Sequence, residues 1–377
     1  MSKRYRAGII GTGMMGQLHA DALNRLPAAV PVCMTGSNPE HLEEAARRYG
    51  IEKTYPSVEE MLAQEDLDSV HVCSSNQTHF EFCMAAIERG INVLCEKPLT
   101  ITSKEGEALV KAAGEKNVVC AVNFNYRNNA MVREMQERVA SGQAGKIYFI
   151  HGTYLQDWLM YDTDYSWRLD RSVNGPSRAI ADIGSHLFDT IQCASGRRIK
   201  AVCCSAFTAL EERKKPTQQV QTFAQNEGGY EVVRPDTEDG ASIQFILEDG
   251  TPGAVIVSQV CGGHKNDLTL ELECENYSMR WMQEDADKLW IGSRKEGKQV
   301  LYASPGTVSA QAAPYVSLPE GHAGNWRDAL YNGIAHYYSV LSGAPRSLIT
   351  DFADGTYIVR ITEACLRSSQ SRQWEEV

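Results

Sequence analysis

The sequence predicts an α/β fold: a doubly wound parallel sheet at the amino end, followed by an α+β domain with a largely antiparallel open sheet. Three observations carry that reading. Over the first third of the chain, short β-branched runs alternate with helical stretches, the grammar of βαβ units. Gly11-Thr12-Gly13-Met14-Met15-Gly16 sits between the first of these strands and the first helix. From residue 241 to residue 291 the chain reads strand, turn, strand, the pattern of antiparallel pairing.

Residues 6–10 form the opening strand and 15–26 the helix behind it. Strand 30–34 follows, then helix 39–49, with Pro39 in the first turn, where its missing N–H costs nothing. Helix 58–64, strand 69–73, helix 78–89, strand 91–95, helix 103–116 and strand 118–122 complete the series. The grammar changes after Asn123-Phe124-Asn125-Tyr126-Arg127, so a boundary is expected near residue 124, separating domain 1–124 from domain 125–377. In the second domain, helix 130–141 precedes a long strand, 146–154, and a strand-poor aromatic loop reaching about residue 177. Next come helix 179–194, strand 200–207 and a Gln/Glu-rich polar insertion, 211–237, without clear periodicity and expected to be mobile. Strands 242–247, 254–260, 268–274, 277–283 and 289–291 and helices 326–341 and 352–369 close the chain.

With 377 residues, 43% hydrophobic and 23% charged, the chain is too apolar for disorder and too long for one core, so two domains are expected. Thirty-seven basic side chains against 48 acidic ones give a formal charge of -11, the wrong sign for a partner made of nucleic acid or anionic lipid. The basic residues 1–6 run straight into the first strand with no apolar signal core, and no stretch approaches the roughly 20 apolar residues of a bilayer span. A soluble, cytoplasmic protein is expected. Eleven scattered cysteines, an odd number without a Cys-x-x-Cys pair, read as buried reduced thiols and not as a disulfide framework or zinc site.

The glycine turn has a physical logic. Gly11 permits the tight turn, Gly13 lets the backbone approach a pyrophosphate and Gly16 lets helix and strand pack closely, while the helix N-terminus offers unpaired N–H groups to phosphate oxygens. Thr12, Met14 and Met15 belong to the same cradle, the two methionines packing beneath the helix near the cofactor. This is a Rossmann dinucleotide fingerprint. At the end of the second strand a carboxylate would select NAD and an arginine NADP, but Thr35-Gly36-Ser37-Asn38 supplies neither. Ser37 and Asn38 can still hydrogen-bond a ribose hydroxyl; the reading favours NAD and leaves NADP open.

Two further clusters follow parallel strands at their carboxyl ends, where open sheets bind ligands: Ser74 with Asn76-Gln77-Thr78-His79, and Cys95-Glu96-Lys97-Pro98-Leu99. Together with the glycine turn and Asp182-Ile183-Gly184-Ser185-His186, these residues resemble the Gfo/Idh/MocA family of nicotinamide-dependent oxidoreductases, with its Rossmann motif, E-K-P motif and D-x-x-x-H pair in matching order. The resemblance spans essentially the whole chain. It implies a catalytic triad of Lys97, Asp182 and His186, a cis Lys97-Pro98 peptide, and cofactor contacts from Ser74, Asn76, His79, Glu96, Lys97, Asn125, Trp167 and Arg168.

Elementary chemistry asks for the same groups. Oxidation of a secondary alcohol by hydride transfer needs a base for the hydroxyl proton and a positive group or donor for the developing alkoxide, which suits Lys97 and His186. Asp182 and His186, four apart on an expected helix, share a face, where the carboxylate can orient substrate hydroxyls or tune the neighbouring charges. Singly, each motif also has an ordinary reading, a surface Lys-Pro turn or a helix-face hydrogen bond; jointly they read as an active site. No third ligand accompanies the Asp-His pair, so no metal is expected.

The aromatic loop, Tyr154-Leu155-Gln156-Asp157-Trp158 and Tyr165-Ser166-Trp167-Arg168-Leu169-Asp170, offers ring faces and polar donors suited to a small polyhydroxylated ring. It looks like the branch of the family that acts on pyranosides, anhydrosugars or cyclitols. Tyr126, Arg127, Gln156, Trp158 and His322, with the triad, are the expected substrate contacts. The leading reading is a dehydrogenase of a ring secondary alcohol with dissociable NAD(H). A redox-assisted glycosidase or epimerase with retained, internally recycled NAD is the alternative; a nucleotide-responsive binding protein would have no use for the triad. One uncovered sheet face leads to the expectation of a homodimer or homotetramer.

Overall fold

The computed structural model describes residues 4–217, 228–322 and 324–377. They fall into two compact units, one running to Phe124 and taking in Leu330–Val359, the other Asn125–Ala329 with Arg360–Val377.

In the first unit, β1 (Tyr5–Ile10), β2 (Ala29–Thr35), β3 (Lys53–Tyr55), β4 (Ser69–Val72), β5 (Asn92–Cys95) and β6 (Cys120–Val122) form a parallel sheet in the order β3-β2-β1-β4-β5-β6. Ile9, Val70, Val72 and Val93 have no exposed surface, as expected of strands covered on both faces. Helices α1 (Met14–Arg25), α2 (Pro39–Tyr49), α3 (Val58–Gln64), α4 (Asn76–Glu88) and α5 (Ser103–Lys116) connect the strands. Their ends follow local chemistry. Asn38 caps α2 by accepting the His41 N–H at 3.1 Å, and Gly50, at φ 67°, closes it. A reciprocal Thr102–Glu105 box opens α5. The strand order reverses between β1 and β4, so the carboxyl ends of these two strands flank the switch point at which such sheets take ligands.

The second unit contains α6 (Ala130–Ala140), β7 (Ile147–Leu155), α7 (Arg171–Asn174), α8 (Ser185–Ser195), β8 (Ile199–Phe207), β9 (Arg213–Pro216) and β10 (Tyr230–Val233). Then follow β11 (Gly240–Leu247), β12 (Pro252–Ser258), β13 (Asp267–Cys274), β14 (Ser278–Met282), β15 (Lys288–Ser293) and β16 (Gly297–Tyr302). The sheet is not a simple meander: β7 lies between β12 and β13, parallel to the former and antiparallel to the latter. One face, with Ile150, Tyr154, Phe245, Leu270, Met279 and Trp281 buried, is covered by α6 and α8. The other leaves Ile256, Met282 and Tyr302 exposed. The polar insertion is not devoid of structure either: its flanks, β9 and β10, pair antiparallel. The mobility expected for the insertion concerns, at 218–227, residues outside those described.

Helices α9 (Trp326–Leu341) and α10 (Phe352–Ser371) and strand β17 (Glu375–Glu376) close the chain, β17 pairing with β8. The sequence reading places everything beyond residue 124 in the second domain, whereas residues 330–359 pack in the first unit. Long-range contacts cause the difference. Tyr337 and Tyr338 of α9 are fully buried, the Thr350 carbonyl accepts the Val122 N–H at 2.8 Å, and Gly355 is so close to Val122 that a Cβ would lie 2.5 Å from its side chain. All eleven cysteines are free thiols, nine of them buried. Among the described residues no helix is long and apolar enough to cross a membrane.

Candidate active site

The glycine turn has the three-part geometry that its spacing implies. Gly11 stands at φ 111°, a conformation costly for any side chain. A Cβ on Gly16 would come within 1.9 Å of the Gly11 carbonyl oxygen, whereas one on Gly13, the N-cap of α1, would meet nothing within 4 Å. Gly16 therefore serves the packing of the fold, and Gly13 opens space in front of the helix N-terminus, as a pyrophosphate requires. Gly36 packs against Thr12, where a Cβ would overlap the threonine side chain at 2.6 Å. Met14 is 59% exposed and does not pack beneath the helix; only Met15 is partly covered. Ser37 is exposed at the end of β2, while the Asn38 side-chain oxygen is used in capping α2.

Several candidates for the cofactor turn out to hold these loops in place. His79 is buried, its Nδ1 2.8 Å from the Pro98 carbonyl oxygen and its Nε2 3.2 Å from that of Ser74, so it ties the two strand-end loops together. Burial keeps its pKa below the ordinary imidazole value. The Ser74 hydroxyl accepts from Thr78 at 2.7 Å, and Asn76 is buried at the start of α4. Glu96 faces inward: Oε1 meets His19 Nε2 at 3.0 Å and Asn123 Nδ2 at 2.6 Å, and Oε2 accepts the Lys97 N–H at 3.3 Å. Burial alone would raise its pKa, but the hydrogen bonds from His19 and Asn123 and the charge of Lys97 bring it below the ordinary carboxylate value. His19 continues the network through Nδ1 to His71 Nδ1 at 2.8 Å, and His71 Nε2 reaches the Tyr338 hydroxyl at 2.9 Å. Lys97 itself is partly exposed, and the Lys97-Pro98 peptide is cis, as the resemblance implies.

In the second unit, Asp182 lies in a π turn, Ile180–Gly184, that leads into α8, so the expected helix over 179–194 does not start as an α-helix. Such wide turns occur often at functional sites. Its N-terminal side is anchored by Glu238, which accepts from Ser177 Oγ, Arg178 N and Ile180 N at 2.7, 2.9 and 2.9 Å. Asp182 Oδ1 is 3.4 Å from Arg168 Nε, and its Oδ2 accepts from Gln259 Nε2 at 2.9 Å. The Arg168 guanidinium in turn lies 4.5 Å from the Trp167 ring centroid and 5.9 Å from that of Trp158. His186 is buried with its ring 4.7 Å from that of Tyr126.

Thus Asp182, His186, Arg168, Trp167, Trp158, Gln156 and Tyr126 share one polar-aromatic cluster within the second unit, whereas Arg127 and the hydroxyl of Tyr126 are committed to other groups. Arg127 forms a two-pronged ion pair with buried Asp189, at 3.0 and 2.8 Å. The Tyr126 hydroxyl is buried between Tyr154 at 2.8 Å and Asn266 Nδ2 at 2.9 Å, so the tyrosine offers its ring and not its hydroxyl. His322 is exposed in the loop before α9. Asn125 is buried with its Nδ2 lacking a partner among the described residues, a donor suited to a ligand. Sequence reasoning missed Gln259 and Asn266, whose only signal is a polar residue directly after or before an apolar strand. Among the described residues, His151, Glu271 and Glu273 could jointly face a cation, but Arg280 already lies 3.7 Å from Glu271.

Comparison with known proteins agrees with this geometry. Residues 5–124 match the family described as "Oxidoreductase family, NAD-binding Rossmann fold", and residues 132–280 match "GFO/IDH/MocA C-terminal domain". The chain is 28% identical over its full length to levoglucosan dehydrogenase of Pseudarthrobacter phenanthrenivorans, covering 98% of that protein. It is 34% identical to 1,5-anhydro-D-fructose reductase of Ensifer adhaerens, over 50% of this chain and 55% of that one. The solved structure of levoglucosan dehydrogenase in complex with NADH and levoglucosan superimposes with a TM-score of 0.88, at 26% identity and over 100% of both chains. The chain belongs to the Gfo/Idh/MocA oxidoreductase family. It is an NAD-dependent dehydrogenase, and the open cradle at Gly13 fits that cofactor.

Proposed function

We propose that the chain oxidises a ring secondary alcohol of a sugar, anhydrosugar, glycoside or cyclitol to the ketone, or catalyses the reverse. The observation that carries this reading is the cluster around Asp182: a carboxylate held by Arg168 and Gln259, an imidazole, and indole faces beside a carboxamide. Such a set matches a ring that presents C–H faces and several hydroxyls. The similarity to levoglucosan dehydrogenase supports an anhydrosugar or related pyranoside.

NAD, when bound by Gly11 to Gly16 and by Asn125, supplies the hydride acceptor. Lys97 and His186 divide the remaining work: one removes the hydroxyl proton while the other holds positive charge or a donor against the developing alkoxide. Asp182, fixed on two sides, orients the substrate hydroxyls. The helix-free sheet face, with Ile256, Met282 and Tyr302 exposed, is assigned to a second copy of the chain, making a homodimer or homotetramer.

The test follows nicotinamide absorbance with NAD or NADP and a panel of inositols, aldoses, anhydrosugars and aryl glycosides. Reduction of NAD by an anhydrosugar or pyranoside, abolished in Lys97→Ala, is expected. No net reduction together with nucleotide released on denaturation would overturn the reading.

A further inference from the structure

Asn266, in the loop before β13, is held at both ends of its side chain. Its Oδ1 accepts from the Tyr154 hydroxyl at 2.6 Å and from Gln156 Nε2 at 3.2 Å, and its Nδ2 donates to the Tyr126 hydroxyl at 2.9 Å. The loop is fixed as firmly: Glu284 Oε1 accepts the Asn266 N–H at 2.7 Å, and Asp157 Oδ2 receives Lys265 Nζ at 2.6 Å and the Gly263 N–H at 3.1 Å. Hydrogen-bond polarity then propagates outward. Because the Tyr154 proton is spent on Asn266, Tyr126 donates to Tyr154 and has no proton left to give. Because Gln156 donates to Asn266, its Oε1 is turned to the Trp158 indole N–H, which it accepts at 2.7 Å. The carboxamide therefore keeps one N–H for an outside acceptor, and the indole offers its face.

We propose that Asn266 is a positioning and specificity-determining residue: it sets Gln156 as a hydrogen-bond donor to an oxygen of the substrate ring. The inference rests on the sugar-dehydrogenase reading of the preceding section. It predicts a preference for substrates with an acceptor oxygen, such as a ring ether or hydroxyl, at the Gln156 position over deoxy analogues.

A double-mutant cycle tests it, run with the panel member that the wild-type chain oxidises, with NADH affinity and melting temperature as controls for folding. Asn266→Ala should raise KM about tenfold or more with kcat within about threefold, as expected for lost ground-state binding. Asn266→Asp, which keeps the acceptor for Gln156, should restore KM to within about threefold of wild type. Gln156→Ala should raise KM similarly, and the double variant should be no worse than either single one. Additive effects of Asn266→Ala and Gln156→Ala, or no rescue by Asn266→Asp, would overturn the inference while leaving the substrate reading standing. A Gln156→Ala variant with unchanged KM would remove Gln156 from the substrate and likewise overturn the inference, again leaving the substrate reading standing.

Discussion

Two buried polar networks, one in each unit, are built in opposite ways. In the first, a carboxylate and two imidazoles, Glu96, His19 and His71, run in a chain that ends at the Lys97 backbone. In the second, the groups around Tyr126 are neutral: two phenols and two carboxamides. An unpaired buried polar group costs about 2–7 kcal/mol, so both networks must be complete. Only the first contains imidazoles and a carboxylate. Burial and, less, the neighbouring His19 push His71 well below the ordinary imidazole value of 6.5, while burial raises the Tyr126 and Tyr154 phenols further from neutrality. An ionic network holds the backbone at Lys97; a neutral one holds the Gln156 carboxamide.

The largest effect should come from the lysine at the end of the ionic network. Lys97→Ala is expected to lower kcat by about 10²–10⁴, with NADH affinity unchanged; near-normal turnover would detach that network from the chemistry. Next, the glycine turn separates ligand from fold. Gly13→Val should abolish NADH binding at a near-native melting temperature, whereas Gly16→Ala, whose methyl has no room, should lower the melting temperature itself. Normal NADH binding by Gly13→Val would contradict that division.

Acid should separate the units at a smaller scale. His71 and His79 both have lowered pKa values in the folded chain, so below 6.5 the unfolded chain binds more protons and stability falls with pH. Glu96, also lowered, adds a loss only below the ordinary carboxylate value of 4.5. The melting temperature should therefore drop between about pH 7 and pH 5, with a shallower slope in His71→Val; equal slopes would remove His71 from the effect. The smallest effect is predicted for Tyr154→Phe, a loss of about 1 kcal/mol that is the same at both ends of that pH range. A pH-dependent loss would mean that the second network is not neutral.

Legibility in the sequence followed the range of the forces involved. Helices 39–49, 58–64 and 103–116 have the expected ends because Asn38, Ser57, Thr102 and their partners act within three residues. The glycine turn was legible for the same reason: its function is local backbone geometry. The three-residue edge strand β3 and the pair β9 and β10 carry no apolar alternation to reveal them. Roles that depend on distant partners were not legible. His79 looks like a ligand residue until its partner 19 residues away is known. Arg127 meets Asp189 across 62 positions, and Asn266 meets Tyr126 across 140. The π turn at Asp182 depends on Glu238, more than fifty residues downstream, and a four-residue spacing reads as plain helix without it.

The most direct test of the central claim is stoichiometric. Purified protein, NAD and levoglucosan, or another ring alcohol that the chain accepts, should yield NADH and a ring ketone in equal amounts, each traced by absorbance and mass. Equal yields, lost in Lys97→Ala, are what a ring-alcohol dehydrogenase predicts. Sugar consumed by bond cleavage or epimerisation without net NADH would contradict it.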